Sequence, residues 1–117
     1  MNQTNELDVQ SAFVGAVIVA SSISIIIIQM YKDILINKEK SKYTTKQIYN
    51  LSILSSGIFL IATIYFYISS YEQAQENKTQ ANVNYNLANT LSLTAQSIRF
   101  NTILKYPETI TGIQDII

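Results

Sequence analysis

Residues 11–30 read SAFVGAVIVASSISIIIIQM, and residues 48–67 read IYNLSILSSGIFLIATIYFY. In each stretch 14 of the 20 residues are apolar, and the charge-free runs extend further, from Val9 to Tyr31 and from Gln47 to Tyr71. About 20 mostly apolar residues are what a helix needs to cross the hydrocarbon core of a bilayer. A backbone in lipid must satisfy its own hydrogen bonds, so both runs read as helices despite their many β-branched isoleucines. Two such helices in a soluble chain of 117 residues would find too little polar cover. The first run does not fit a cleaved signal peptide, because Glu6 and Asp8 precede it in place of lysines and it is too long.

Between the runs, Lys32, Lys38, Lys40, Lys42 and Lys46 stand against Asp33 and Glu39. This is the most basic part of the chain. The positive-inside rule places the loop 32–46 in the cytoplasm and the N-terminus outside. Ile34, Leu35 and Ile36 continue the first helix beyond the apolar run, and a tight turn is expected near Ser41. Tyr65, Phe66, Tyr67 and Tyr71 gather at the far end of the second run, as aromatic residues do at a membrane–water boundary.

The third segment has a different character. Thr79 to Ile98 is again free of charge, yet only nine of its 20 residues are apolar. Helical spacing puts Val83, Leu87, Leu91, Ala95 and Ile98 on one face, and Asn82, Asn86, Asn89, Gln96 and Ser97 on the other, with Leu93 and Asn84 out of place. The segment fits a third crossing whose polar face turns inward, which brings Arg99 and Lys105 to the cytoplasmic side. It also fits an amphipathic helix lying outside the bilayer. Unpaired amides in hydrocarbon are costly, so insertion needs neighbouring helices.

The expected architecture is an all-α integral membrane bundle: helix 1 over about 9–36, a basic turn 37–46, helix 2 over about 47–71, a polar-faced helix 3 over about 79–106 that also inserts, and a tail 107–117. Pro107 is expected to end the last helix.

Small residues at four-residue spacing let helix backbones approach closely. Helix 1 offers Ala12, Ala16, Ala20 and Ser24, with Gly15 alongside; helix 2 offers Ser52, Ser56 and Gly57. These eight are the expected packing positions, within the hairpin or between copies. The amide face of helix 3 is a candidate pore lining or interhelix hydrogen-bonding surface.

Composition narrows the chemistry. The chain has no cysteine and no histidine, so thiolate chemistry is excluded and the commonest general base is missing. Its net charge is zero, and charged residues make up 14%, against roughly 25% in soluble domains. No phosphate loop, dinucleotide fingerprint, nucleophile elbow or metal motif occurs. No catalytic residue, cofactor, metal or nucleic-acid partner is expected. The partners expected are the lipid bilayer and either further copies of the chain or another membrane protein. The heavy use of Ile, Asn, Lys and Tyr is that of an AT-rich genome, as in low-GC bacteria. Asn77-Lys78-Thr79 forms a glycosylation triplet of a kind that arises often by chance.

The entry to helix 2 (Lys46, Gln47, Ile48, Tyr49, Asn50), its serine-rich crossing, and Tyr71, Glu72, Ala74, Ala81, Tyr85 and Leu87 beyond it resemble SLATT-type two-helix membrane proteins. That resemblance implies a pore-forming effector in nucleotide-signalled antiviral defence, with both termini in the cytoplasm, opposite to the orientation of the charge rule. The whole chain also resembles uncharacterised small multi-pass proteins of clostridia. The expected function is a small self-associating membrane protein that forms a pore, as a defence effector or holin-like protein does. The alternative is a non-catalytic accessory or immunity subunit packed on a partner.

Overall fold

A computed structural model describes residues 3–106. The tail 107–117, including Pro107, lies outside them. The fold is all-α, with α1 spanning Gln3–Asn37, α2 Thr45–Glu76 and α3 Gln80–Lys105. The three helices run up, down and up in a slender bundle with extents of 57 × 26 × 18 Å.

The helices outrun the apolar segments that announce them. Helix α1 begins at Gln3 rather than near Val9, taking Glu6 into its first turn, where a carboxylate suits the positive end of the helix dipole. Helix α2 runs on past Tyr71 to Glu76. Glu72, Gln73, Ala74, Gln75 and Glu76 are good helix formers, and no glycine or proline interrupts them.

The basic turn is built from local hydrogen bonds. Helix α1 ends at Asn37, Lys38 adopts the left-handed region at φ 48°, and a short 3-10 turn covers Lys38–Lys40. Asp33 ties the turn together: its carboxylate accepts from Asn37 Nδ2 at 2.6 Å and from Ser41 Oγ at 2.5 Å. Helix α2 then starts with a capping box. Gln47 N donates to Thr44 Oγ1 at 3.2 Å, and Thr44 N donates to Gln47 Oε1 at 2.9 Å. At the other end Thr79 caps α3 by accepting from Asn82 N at 3.1 Å.

The core is narrow. Ile27 and Met30 of α1, Ile48 of α2 and Ile103 of α3 meet near the basic turn, so all three helices converge there. Toward the other end Phe13 stacks on Tyr65, with ring centroids 4.2 Å apart and planes 7° from parallel. The apolar windows of α1 and α2 are long and apolar enough to cross a membrane, and few of their residues are fully buried.

Candidate functional site

Helix α2 is the middle of the bundle, and its buried positions are small: Ser52, Ser55, Ser56, Ala62, Ser70 and Ala74, with Ile48 the exception. Two seams result, and the larger side chains of α1 and α3 approach its backbone.

On the α1 side the contact is polar. Ala20 is fully buried, at 0% exposure. Its carbonyl accepts from Ser55 Oγ at 2.9 Å and from Ser24 Oγ at 3.2 Å, while the two hydroxyls lie 3.0 Å apart. Small side chains let the hydroxyl of one helix reach the backbone of the next. The expected small-residue stripe therefore divides. Ala20 and Ser24 are in the seam, whereas Ala12 is exposed, Ala16 is half-buried, and a Cβ added at Gly15 would meet nothing within 4 Å.

On the α3 side the register is regular. Asn86 Nδ2 donates to Ser70 Oγ at 3.2 Å, Asn89 Nδ2 donates to the Phe66 carbonyl at 3.4 Å, and Phe100 lies against Gly57, where a Cβ would be 3.7 Å from its ring. These pairs are antiparallel partners along most of α2. Asn86, Asn89 and Gln96 are half-buried, and so are Leu93 and Phe100 in line with them. Asn82 is half-buried too, but it serves its own helix end, donating from Nδ2 to the Asn77 carbonyl at 2.7 Å. Ser97 falls off the seam and is exposed. The opposite face carries Leu87, Leu91 and Ile98, which are 58%, 62% and 62% exposed. Asn86, Asn89 and Gln96 thus turn in together with Leu93 and Phe100, while Leu87, Leu91 and Ile98 turn out together with Asn84, Thr94 and Asn101.

Where the two seams meet, α1, α2 and α3 enclose a half-open cavity of about 300 Å³. Ser52 and Ser56 line it from α2, Gln96 and Arg99 from α3, and Ser24 from α1, with Ile25, Ile28, Phe59 and Ile103 as apolar walls. Ser52 Oγ, Ser56 Oγ and Gln96 Oε1 are buried in it without a hydrogen-bond partner. Ser52 and Ser56, expected as packing positions, thus face a cavity; Gly57 beside them does meet a neighbouring helix. A second cavity, of about 340 Å³, lies at the other end between α1 and α2, where Glu6, Glu72 and Glu76 line it. Among the described residues no three His, Cys, Asp or Glu side chains come together as metal ligands would.

Sequence reading missed Ser55, Ser70 and Arg99. Ser55 adjoins Ser56, and only the rotation of α2 decides that it meets Ala20. Ser70 lies in the polar end of α2, and Arg99 reads there as a membrane-boundary residue.

No family model matches the chain, and neither does any curated protein or solved structure. The likeness to SLATT-type proteins accordingly rests on the residues quoted for it.

Proposed function

We propose that this chain is a non-catalytic membrane protein with three crossings, which self-associates and conducts water or ions between its copies. The inverted polarity of α3 carries this reading. In water, exposed Leu87, Leu91 and Ile98 with amides turned inward would be the wrong way round. In lipid it is the favourable arrangement, because leucine suits hydrocarbon while Asn86 and Asn89 need partners. Helix α3 also runs back along α2, so it shares whatever depth α2 reaches. Arg99 and Lys105 then lie at the same end of the bundle as the lysine-rich turn, in keeping with the charge rule and with an external N-terminus.

Self-association draws support from the uncovered part of α1, where Ala12 and Gly15 have no helix over them. Asn86 and Asn89 are committed within the subunit, which leaves exposed Ser97, about 80° round α3 from Leu87, as the polar position for a lumen between copies. The same α1 face would serve an accessory subunit docking on another membrane protein.

The test has two stages. Single cysteines at Thr4→Cys and Lys105→Cys, probed with a membrane-impermeant thiol reagent on intact cells, should give labelling at position 4 and protection at position 105. Labelling at both positions would sink the three-crossing reading. The full chain in proteoliposomes should then cross-link to itself and pass ions, and Ser97→Leu should abolish the flux with helicity unchanged. A monomeric, silent protein would favour the accessory subunit.

A further inference from the structure

The cavity at the meeting of the three helices holds an unusual set of groups. Mid-helix serines and threonines commonly return their hydroxyl to the carbonyl four residues back. Here Ser22 does so toward Ile18, Ser24 toward Ala20 and Thr90 toward Asn86. Ser52 and Ser56 do not. They are 4% and 5% exposed, they stand one turn apart on α2, and their hydroxyls have no partner. Gln96 Oε1 is unpartnered beside them, and because the amide can be turned by 180° it offers the cavity either an acceptor or a donor. Arg99 stands exposed at the edge of the same cavity, and no carboxylate is among the lining residues.

Arg99 favours an anion, and the two hydroxyls and the turned amide can donate to one. A guanidinium is charged at every accessible pH and offers a planar fork of donors that matches phosphate oxygens. Serine hydroxyls and a side-chain amide add neutral donors that accept no counter-charge of their own. Water would satisfy the hydroxyls; an anion would satisfy them and pair with the arginine as well. Ile25 and Ile28 give the cavity an apolar side suited to a hydrocarbon chain. Depth is consistent too. Ser52 follows Lys46 by six residues and Arg99 precedes Lys105 by six, so the cavity lies about 9 Å along the helices from the basic end, at a rise of 1.5 Å per residue. An arginine there reaches the headgroup level by extending its side chain.

We propose that this cavity is a binding site for a phosphate ester, held by Arg99 with Ser52, Ser56 and Gln96. The phosphate comes from the headgroup of an anionic phospholipid or from a soluble phosphate monoester. The site goes beyond the function proposed above. It needs the folded bundle, and neither self-association nor conduction enters into it.

The full chain in an uncharged maltoside detergent provides the test, with thermal unfolding followed by circular dichroism and bound lipid by native mass spectrometry. Phosphatidylglycerol should raise the melting temperature and be retained, while a diglucosyl diacylglycerol with the same acyl chains should not. Stabilisation by inorganic phosphate or glycerol phosphate would identify a soluble source, and stabilisation by the lipid alone would identify the headgroup. Arg99→Gln and Ser56→Ala should each weaken binding by about tenfold or more, and Lys105→Gln by less than about twofold. Ser56→Ala should also leave the ligand-free protein as stable as before or more so, since it removes an unpartnered buried hydroxyl. That combination separates a binding residue from a structural one, and it stands even where Arg99→Gln fails to fold. Three outcomes overturn the site: no stabilisation by any phosphate species, equal losses in Arg99→Gln and Lys105→Gln, or an unchanged ligand response in Ser56→Ala.

Discussion

Asn86 Nδ2 donates to Ser70 Oγ at 3.2 Å across the α2–α3 seam, while Leu87, the next residue, is 58% exposed on the far side of the same helix. Adjacent residues of α3 thus face opposite ways, with the polar one inside. Ser70 passes its own hydrogen on to the Tyr67 carbonyl at 3.0 Å, so its oxygen is free to accept.

The strength of that bond is measurable. Interhelix hydrogen bonds in membrane proteins average about 0.6 kcal/mol and reach about 1.7 kcal/mol. A double-mutant cycle of Asn86→Leu and Ser70→Ala, followed by unfolding in mixed micelles, should give a coupling energy within that range. A coupling indistinguishable from zero would mean that the two side chains do not meet.

The division of the small-residue stripe predicts unequal tolerance. Ala20→Leu forces a large side chain between the α1 backbone and Ser55, and overpacking of this kind costs about 1–3 kcal/mol. Ala12→Leu adds the same volume to an exposed position. Unfolding of the two variants in detergent should show a marked loss for the first and almost none for the second. Equal losses would place Ala12 in a buried contact.

Nitroxide scanning of α3 tests which way it faces. In proteoliposomes, spin labels at Leu87, Leu91 and Ile98 should collide readily with oxygen, which concentrates in lipid, and poorly with a water-soluble nickel chelate. Labels at Asn86 and Asn89 should be immobilised. High nickel access along the leucine face would put α3 in water.

The turn offers a local test in two directions. Asp33→Ala removes a charged acceptor shared by Asn37 and Ser41, and hydrogen bonds to charged groups are worth about 1.5–3 kcal/mol. Some of that returns through solvation, since the turn is at the surface, so a loss at the lower end is expected. Lys38→Gly should instead stabilise by a few tenths of a kcal/mol or more, up to about 1 kcal/mol, because φ 48° suits glycine. Chemical unfolding of each variant measures both effects, and a stabilising Asp33→Ala would contradict the clamp.

Much of this architecture is local and therefore legible in the chain. Charge-free runs of helix-spanning length mark α1 and α2, because a backbone removed from water has no alternative to its own hydrogen bonds. The start of α2 at Thr45, two residues before the expected 47, is set by the Thr44–Gln47 capping box, which hydropathy does not register. The polar and apolar faces of α3 follow from its 3.6-residue period. The helix ends were less legible: Gln3 to Asp8 and Glu72 to Glu76 are polar, so hydropathy stops before the helix does.

Tertiary packing decided the rest. Periodicity separates the two faces of α3 and is silent on which one meets α2; that depends on the register that brings Asn86 to Ser70 and Phe100 to Gly57. Four-residue spacing singles out Ala12, Ala16, Ala20 and Ser24 alike, yet only where α2 supplies Ser55 is the approach of two backbones used. Ser52 and Ser56 are one turn apart on α2, as Gln96 and Arg99 are on α3, but the two pairs are far apart in sequence, and no local signal joins one pair to the other. They share a cavity because three helices that converge on Ile27, Ile48 and Ile103 leave a gap just beyond that contact. The sequence by itself determined where helices form, because hydrogen bonding and hydropathy act along the chain; the tertiary structure decided which faces meet, because packing depends on the shape of what lies opposite.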